Sequence, residues 1–140
     1  MKTRLARNSA ALIVLAGFSL ASPAFAQDKN IKIGVLNDMS SLYADIGGPN
    51  SVNAAKLAVE DSGLVAKGWK IDVIGAAPQN KPDAGVSVAR QWFDVEKVDA
   101  IADTPNSGVA LAVSNVVKEK NAVLLNSGAA TAGLTNEACS

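Results

Sequence analysis

The chain has 140 residues, with 13 basic and 13 acidic side chains, 49% hydrophobic residues, one cysteine and no histidine. The charge balance leaves no basic stripe for a nucleic-acid partner, so none is expected. Without histidine the commonest general base and the commonest metal ligand are gone, and a Ser-His-Asp arrangement is impossible within the chain.

Residues 1–26 read as a secretion signal. Lys2, Arg4 and Arg7 form a positive start, AALIVLAGFSLA is an apolar run short for a bilayer, and Ala24-Phe25-Ala26 is a small-x-small cleavage site. A buried helix or a membrane anchor fits this pattern less well, and no cysteine stands at the cut for a lipid anchor. The mature chain is therefore expected to begin near Gln27, outside the cytoplasmic membrane. Without the three leading cations, ten basic residues face thirteen acidic ones, a mildly acidic protein.

IKIGVL, Ile31 to Leu36, is a short β-branched run and predicts a strand. NDMSSLYADIGGPN, residues 37 to 50, is rich in turn-forming residues and predicts a long loop of the kind often tied to function. SVNAAKLAVEDSG carries a helical stripe of Val52, Ala55 and Val59, with Ser51 as its expected cap and Gly63 as its stop. WKIDVIG alternates as a second strand, with Ile71 and Val73 on one face. Pro82 suits a first helical turn, and Asp83 to Val95 predicts a helix facing inward through Gly85, Val88, Ala89, Trp92 and Phe93. Gly85 is expected to let that helix lie close to the sheet. Trp69 and Trp92 both read as core.

VDAIAD predicts a third strand. The next helix spaces Val109, Ala112, Val113, Val116 and Val117 as a clear apolar face, capped by Asn106 or Ser107. AVLLN is a fourth strand whose unbroken apolar run suits cover on both faces. The order β-α-β-α-β-α-β predicts an α/β fold, a doubly wound parallel sheet with helices on both faces. After LTNEACS the next helix and strand of the alternation are missing, so a fragment is expected. Cys139 then reads either as half of a pair whose partner lies downstream or as an unpaired thiol.

Sites in open α/β sheets lie beyond the carboxyl ends of the strands. Two loops there, DTPNSG and NSGAAT, are rich in small and hydroxyl residues and in free N–H groups, which suit a small carboxylate. Each alone also reads as an ordinary cap or connection. The first loop adds Asp38, Ser40, Ser41, Asp45 and Tyr43, the only tyrosine, as a ligand contact or a surface residue. There is no G-x-G-x-x-G, no phosphate-loop lysine motif and no G-x-S-x-G. Asp38 and Asp103 could be read as strand-end carboxylates for Mg²⁺, but the secretion signal argues against an intracellular phosphorelay. No cofactor and no catalysis are expected.

IKIGVLNDMSSLYADIGGPNSVNAAKLAVED, KIDVIGAAPQNKPDAGVSVARQWFDVEKVDAI and the two loops around TPNSG and NSGAAT, the latter followed by GLT, resemble type 1 periplasmic binding proteins of the leucine/isoleucine/valine-binding family. NDMSSLYADIGGP is most similar to a subgroup associated with aromatic carboxylates. The resemblance covers residues 29 to 140. It implies two α/β lobes with ligand closed between them, of which residues 27–140 would be part of the N-terminal lobe. It further implies an extracytoplasmic solute-binding component of an ABC transporter in the periplasm, monomeric at full length, with a membrane permease as partner. The ligand would be an aromatic acid or a branched-chain amino acid. Carried over by position, the ligand-binding residues are Asn106, Ser107, Gly128, Ala129, Ala130 and Thr131, with Tyr43 and Ile46 approaching from the first loop. Family members with Thr at position 130 differ from this chain, where Ala130 keeps only its N–H and Thr131 would supply the hydroxyl. The same fold also serves as the sensing ectodomain of signalling receptors, which is the alternative reading.

Overall fold

A computed structural model describes residues 29–139, so the expected leader at 1–26 lies outside the described residues. Four strands form one parallel sheet: β1 Asn30–Leu36, β2 Lys70–Ala76, β3 Ala100–Ala102 and β4 Val123–Leu125. Three helices connect them: α1 Gly48–Asp61, α2 Pro82–Gln91 and α3 Ser107–Glu119. The strand order is β2-β1-β3-β4. Ile33 pairs with Val73 on one side and Ala100 on the other, and Ala100 pairs with Val123. The doubly wound parallel sheet read from the sequence is the fold observed.

The side-chain alternation of β1 and β2 divides the helices between the two faces. Gly75 faces α1, where a Cβ would stand 2.7 Å from Val52 Cγ2, whereas Ile74 and Ala76 pack on the core beneath α2 and α3. That core holds Leu36, Ile101, Val109 and Val113, none more than 1% exposed, with Ala89, Trp92, Val98, Val116 and Val117 around them. Full burial of each large aliphatic side chain stabilises by roughly 1.5–3 kcal/mol. The Trp92 indole packs directly against Gly34, since a Cβ there would stand 2.4 Å from Cε3 and Cζ3 of the ring.

Several expectations are corrected. Helix α1 begins at Gly48, with Pro49 in its first turn, because proline's fixed φ and missing N–H suit that position. Ser51 is therefore inside the helix and is not its cap. Gly85 brings α2 close to α3 and not to the sheet, since its Cβ would meet Val109 Cγ1 at 2.6 Å and Val113 Cγ2 at 3.3 Å. Helix α2 ends at Gln91, and Trp92–Glu96 continues as a wider π-type turn that closes on Lys97 in a left-handed conformation. Strand β4 is covered on one face only: Leu124 packs on the core, while Val123 and Leu125 are 50% and 58% exposed. Trp92 is buried, but Trp69 is only half-buried. No helix among the described residues is long and apolar enough to cross a membrane.

Candidate functional site

From β1 the chain turns one way to β2 and, through α2, crosses back to β3 on the other side. A reversal of this kind opens a crevice beyond the strand ends, here between β1 and β3. A cleft of about 350 Å³ lies there, lined by Asn37, Tyr43, Ile46, Gly47, Ser51, Asp103, Pro105, Ser127 and Gly128.

Its floor is a polar chain joining three strand ends. Asn37, 1% exposed, follows β1 and donates through Nδ2 to Ser51 Oγ (2.9 Å) and to Asp103 Oδ2 (2.5 Å). Asp103 follows β3 in the left-handed region, φ 53°, which Asp tolerates better than most residues. Its Oδ1 accepts from Ser127 Oγ at 2.9 Å, beyond the end of β4. Gly128 completes this wall, because a Cβ there would stand 3.0 Å from Pro105 Cα and 3.3 Å from Asp103 Oδ1.

The opposite wall is the loop Asp38–Gly47, folded around one carboxylate. Asp38 is 2% exposed. Its Oδ2 accepts from Ser41 Oγ at 2.6 Å, Tyr43 N at 2.9 Å and Asn80 Nδ2 at 2.6 Å, and its Oδ1 accepts from Ser41 N at 2.9 Å. The Ser41 hydroxyl first, then the Tyr43 N–H and the Asn80 amide, hold its carboxyl far below the ordinary 3.8, against the opposing effect of burial. Asn80 reaches it from the loop after β2, where Gln79 and Asn80 both have positive φ. The loop thus carries half-buried Tyr43 and 80%-exposed Ile46 to the cleft. The Tyr43 hydroxyl has no hydrogen-bond partner among the described residues.

Of the residues singled out from the sequence, Tyr43, Ile46 and Gly128 line this cleft together. Asn106 and Ser107 are not among its lining. Asn106 caps α3, its Oδ1 accepting from Val109 N at 3.0 Å, and Ser107 is the first helical residue. Ala129 donates its N–H to Asn126 Oδ1, Thr131 Oγ1 accepts from Gly133 N, and both line a separate cavity between α3, β4 and the segment to Cys139. Ala130 is exposed and lines neither. The sequence reading did not single out Asn37, Ser51, Asp103 and Ser127 as ligand contacts. Their shared signal is position, since three of the four are the first or second residue after a strand.

The family model described as periplasmic binding protein matches residues 30–140. Among solved structures, a periplasmic binding protein from Burkholderia mallei is 43% identical with a TM-score of 0.75, over 80% of this chain and 30% of that one. A branched-chain amino acid ABC transporter periplasmic ligand-binding protein from Burkholderia xenovorans is 46% identical with a TM-score of 0.71, over 74% and 28%. A solute-binding protein of an ABC transporter from Rhodopseudomonas palustris, in complex with 3,4-dihydroxybenzoic acid, is 26% identical with a TM-score of 0.69, over 76% and 29%. The chain therefore spans less than a third of the length of each of these structures. No curated protein matches.

Proposed function

The chain belongs to the periplasmic binding protein family, and from that premise we propose that its cleft is one wall of a site for a small organic carboxylate taken up through an ABC transporter. The observation that carries this reading is the crevice at the strand reversal, walled by short side chains and backbone and overhung by Tyr43 and Ile46. Ser127 and Gly128 present N–H groups that meet no acceptor among the described residues, and Ser127 adds a hydroxyl. Hydrogen bonds from such groups to a carboxylate are worth roughly 1.5–3 kcal/mol each. Tyr43 and Ile46 supply an apolar surface for the body of the ligand, a ring or a branched chain.

In this reading residues 27–140 form part of the N-terminal lobe, the protein works outside the cytoplasmic membrane after loss of residues 1–26, and a membrane permease receives the ligand. The protein binds and releases without catalysing a reaction. Asn106, Ser107 and the segment from Ala129 to Thr131 enter the site only if the ligand extends past Pro105. Two of the similar structures, the branched-chain amino acid ABC transporter periplasmic ligand-binding protein and the solute-binding protein in complex with 3,4-dihydroxybenzoic acid, set the panel to try. Leucine, isoleucine, benzoate and 3,4-dihydroxybenzoate are titrated while thermal unfolding is followed. A binding ligand at about 100 times its Kd stabilises by about 2.7 kcal/mol. The expected outcome is a raised Tm with at least one of these acids, and no shift with any of them would refute the proposal.

A further inference from the structure

Asp103 is the one ionisable carboxylate in the cleft lining, and no lysine or arginine lines the cleft with it. Among the described residues its side chain forms no ion pair. Its partners are neutral donors, the Asn37 amide on Oδ2 and the Ser127 hydroxyl on Oδ1. A carboxylate has about four lone-pair positions, so each oxygen keeps one acceptor site after these two bonds. Asp103 is half-buried in the cleft lining, and with glycine at position 128 no side chain from there crowds Oδ1, which a Cβ would approach to 3.3 Å. Asp103 also sits at the turn of the strand order, at the floor of the crevice, where any ligand held by Ser127 and Gly128 lies beside it.

We propose that Asp103 is a specificity-determining residue that favours carboxylates bearing a second, hydrogen-bond-donating group, an ammonium or a hydroxyl, over plain carboxylates of the same shape. This rests on the small-carboxylate reading above. The polarity of the cleft carries it: the N–H groups of Ser127 and Gly128 meet the ligand's acceptors, and the free lone pairs of Asp103 meet its donors. A plain carboxylate brings like charge towards Asp103 and nothing to pair with it, and beside a half-buried carboxylate that repulsion is only partly screened. A ligand ammonium or hydroxyl turns the same oxygen into a charge-assisted partner.

The test is calorimetric titration of the full chain with two matched pairs, leucine against 4-methylpentanoate and 4-hydroxybenzoate against benzoate. In at least one pair the donor-bearing member is expected to bind about tenfold tighter or more, the yield of one charge-assisted hydrogen bond. The pair that shows the gap identifies the donor as ammonium or hydroxyl. Asp103→Asn, with unchanged circular dichroism, is expected to narrow that gap to about threefold or less. A gap that survives in Asp103→Asn, or gaps below about threefold in both pairs of the unaltered chain, would overturn the role of Asp103. The second of these criteria needs no variant and can overturn the proposal even where Asp103→Asn does not fold. Binding of both benzoate and 4-methylpentanoate as tight as that of their partners leaves the small-carboxylate reading standing and removes Asp103 alone. Binding of none of the four, together with none of the earlier panel, removes both.

Discussion

Replacing Asp38 with asparagine keeps its size and removes its charge. The native carboxylate gathers the Ser41 hydroxyl, the Ser41 and Tyr43 N–H groups and the Asn80 amide, so an amide in its place sets N–H against donors. Because the folded chain holds this carboxyl below its ordinary 3.8, its contribution is full at neutral pH. It is lost as the pH falls below the unfolded value towards the lower folded one. Thermal melts should therefore show Asp38→Asn less stable than the unaltered chain at pH 7, with a smaller difference near pH 3; a difference independent of pH would assign the loss to packing instead. Asp38 was visible in the sequence as a polar loop residue, but its partner Asn80 lies 42 positions away and nothing local announces it. The cleft residues were hidden for a related reason. Asn37, Asp103 and Ser127 become one site only once β1, β3 and β4 are neighbours, and strand order is a tertiary fact. By contrast Asn106 as cap was legible, since an Asn before an apolar helical face has a local job.

At the scale of elements, periodicity revealed the number, type and order of strands and helices, because burial of one face imposes the 2.0 and 3.6 repeats directly on the sequence. It did not reveal which element each face meets. Gly85 was expected against the sheet and instead seats α2 on Val109 and Val113 of α3. Gly34 carries no local signal inside the strand pattern of β1, yet it is the surface on which Trp92 rests. A methyl at Gly34 cannot be accommodated without displacing the indole, which is 4% exposed. Gly34→Ala should destabilise by about 1–3 kcal/mol through overpacking. Urea unfolding measures this, with Trp92 fluorescence as the probe; a midpoint equal to that of the unaltered chain would show that the ring moves aside without cost. The Arg90–Glu119 pair joins the outer ends of α2 and α3 at 2.7–2.9 Å, but both side chains are about half exposed, so the helix contact depends on its valines more than on this pair.

Across the described residues the sheet packs one face on the core beneath α2 and α3, whereas α1 on the other face meets chiefly β2 and β1. The apolar run of β4 led to an expectation of cover on both faces, since hydrophobicity alone does not say whether a partner is present. In the structure, alternate residues of that run have opposite surroundings: Leu124 packs on the core, while Leu125 is 58% exposed. This gives a comparison that separates sequence hydrophobicity from actual burial. Leu36, at 0% exposure among Trp92, Ile101 and Val109, should cost about 2–5 kcal/mol when cut back to alanine, the lost transfer energy plus a cavity that tight packing cannot close. Leu125→Ala removes the same atoms from a site already half in water, and should stay within about 0.5 kcal/mol. Both are read from urea midpoints at a fixed m-value, at several protein concentrations. If Leu125→Ala costs as much as Leu36→Ala, the open face of β4 is covered in solution, and a dependence of that cost on concentration would identify the cover as a second molecule.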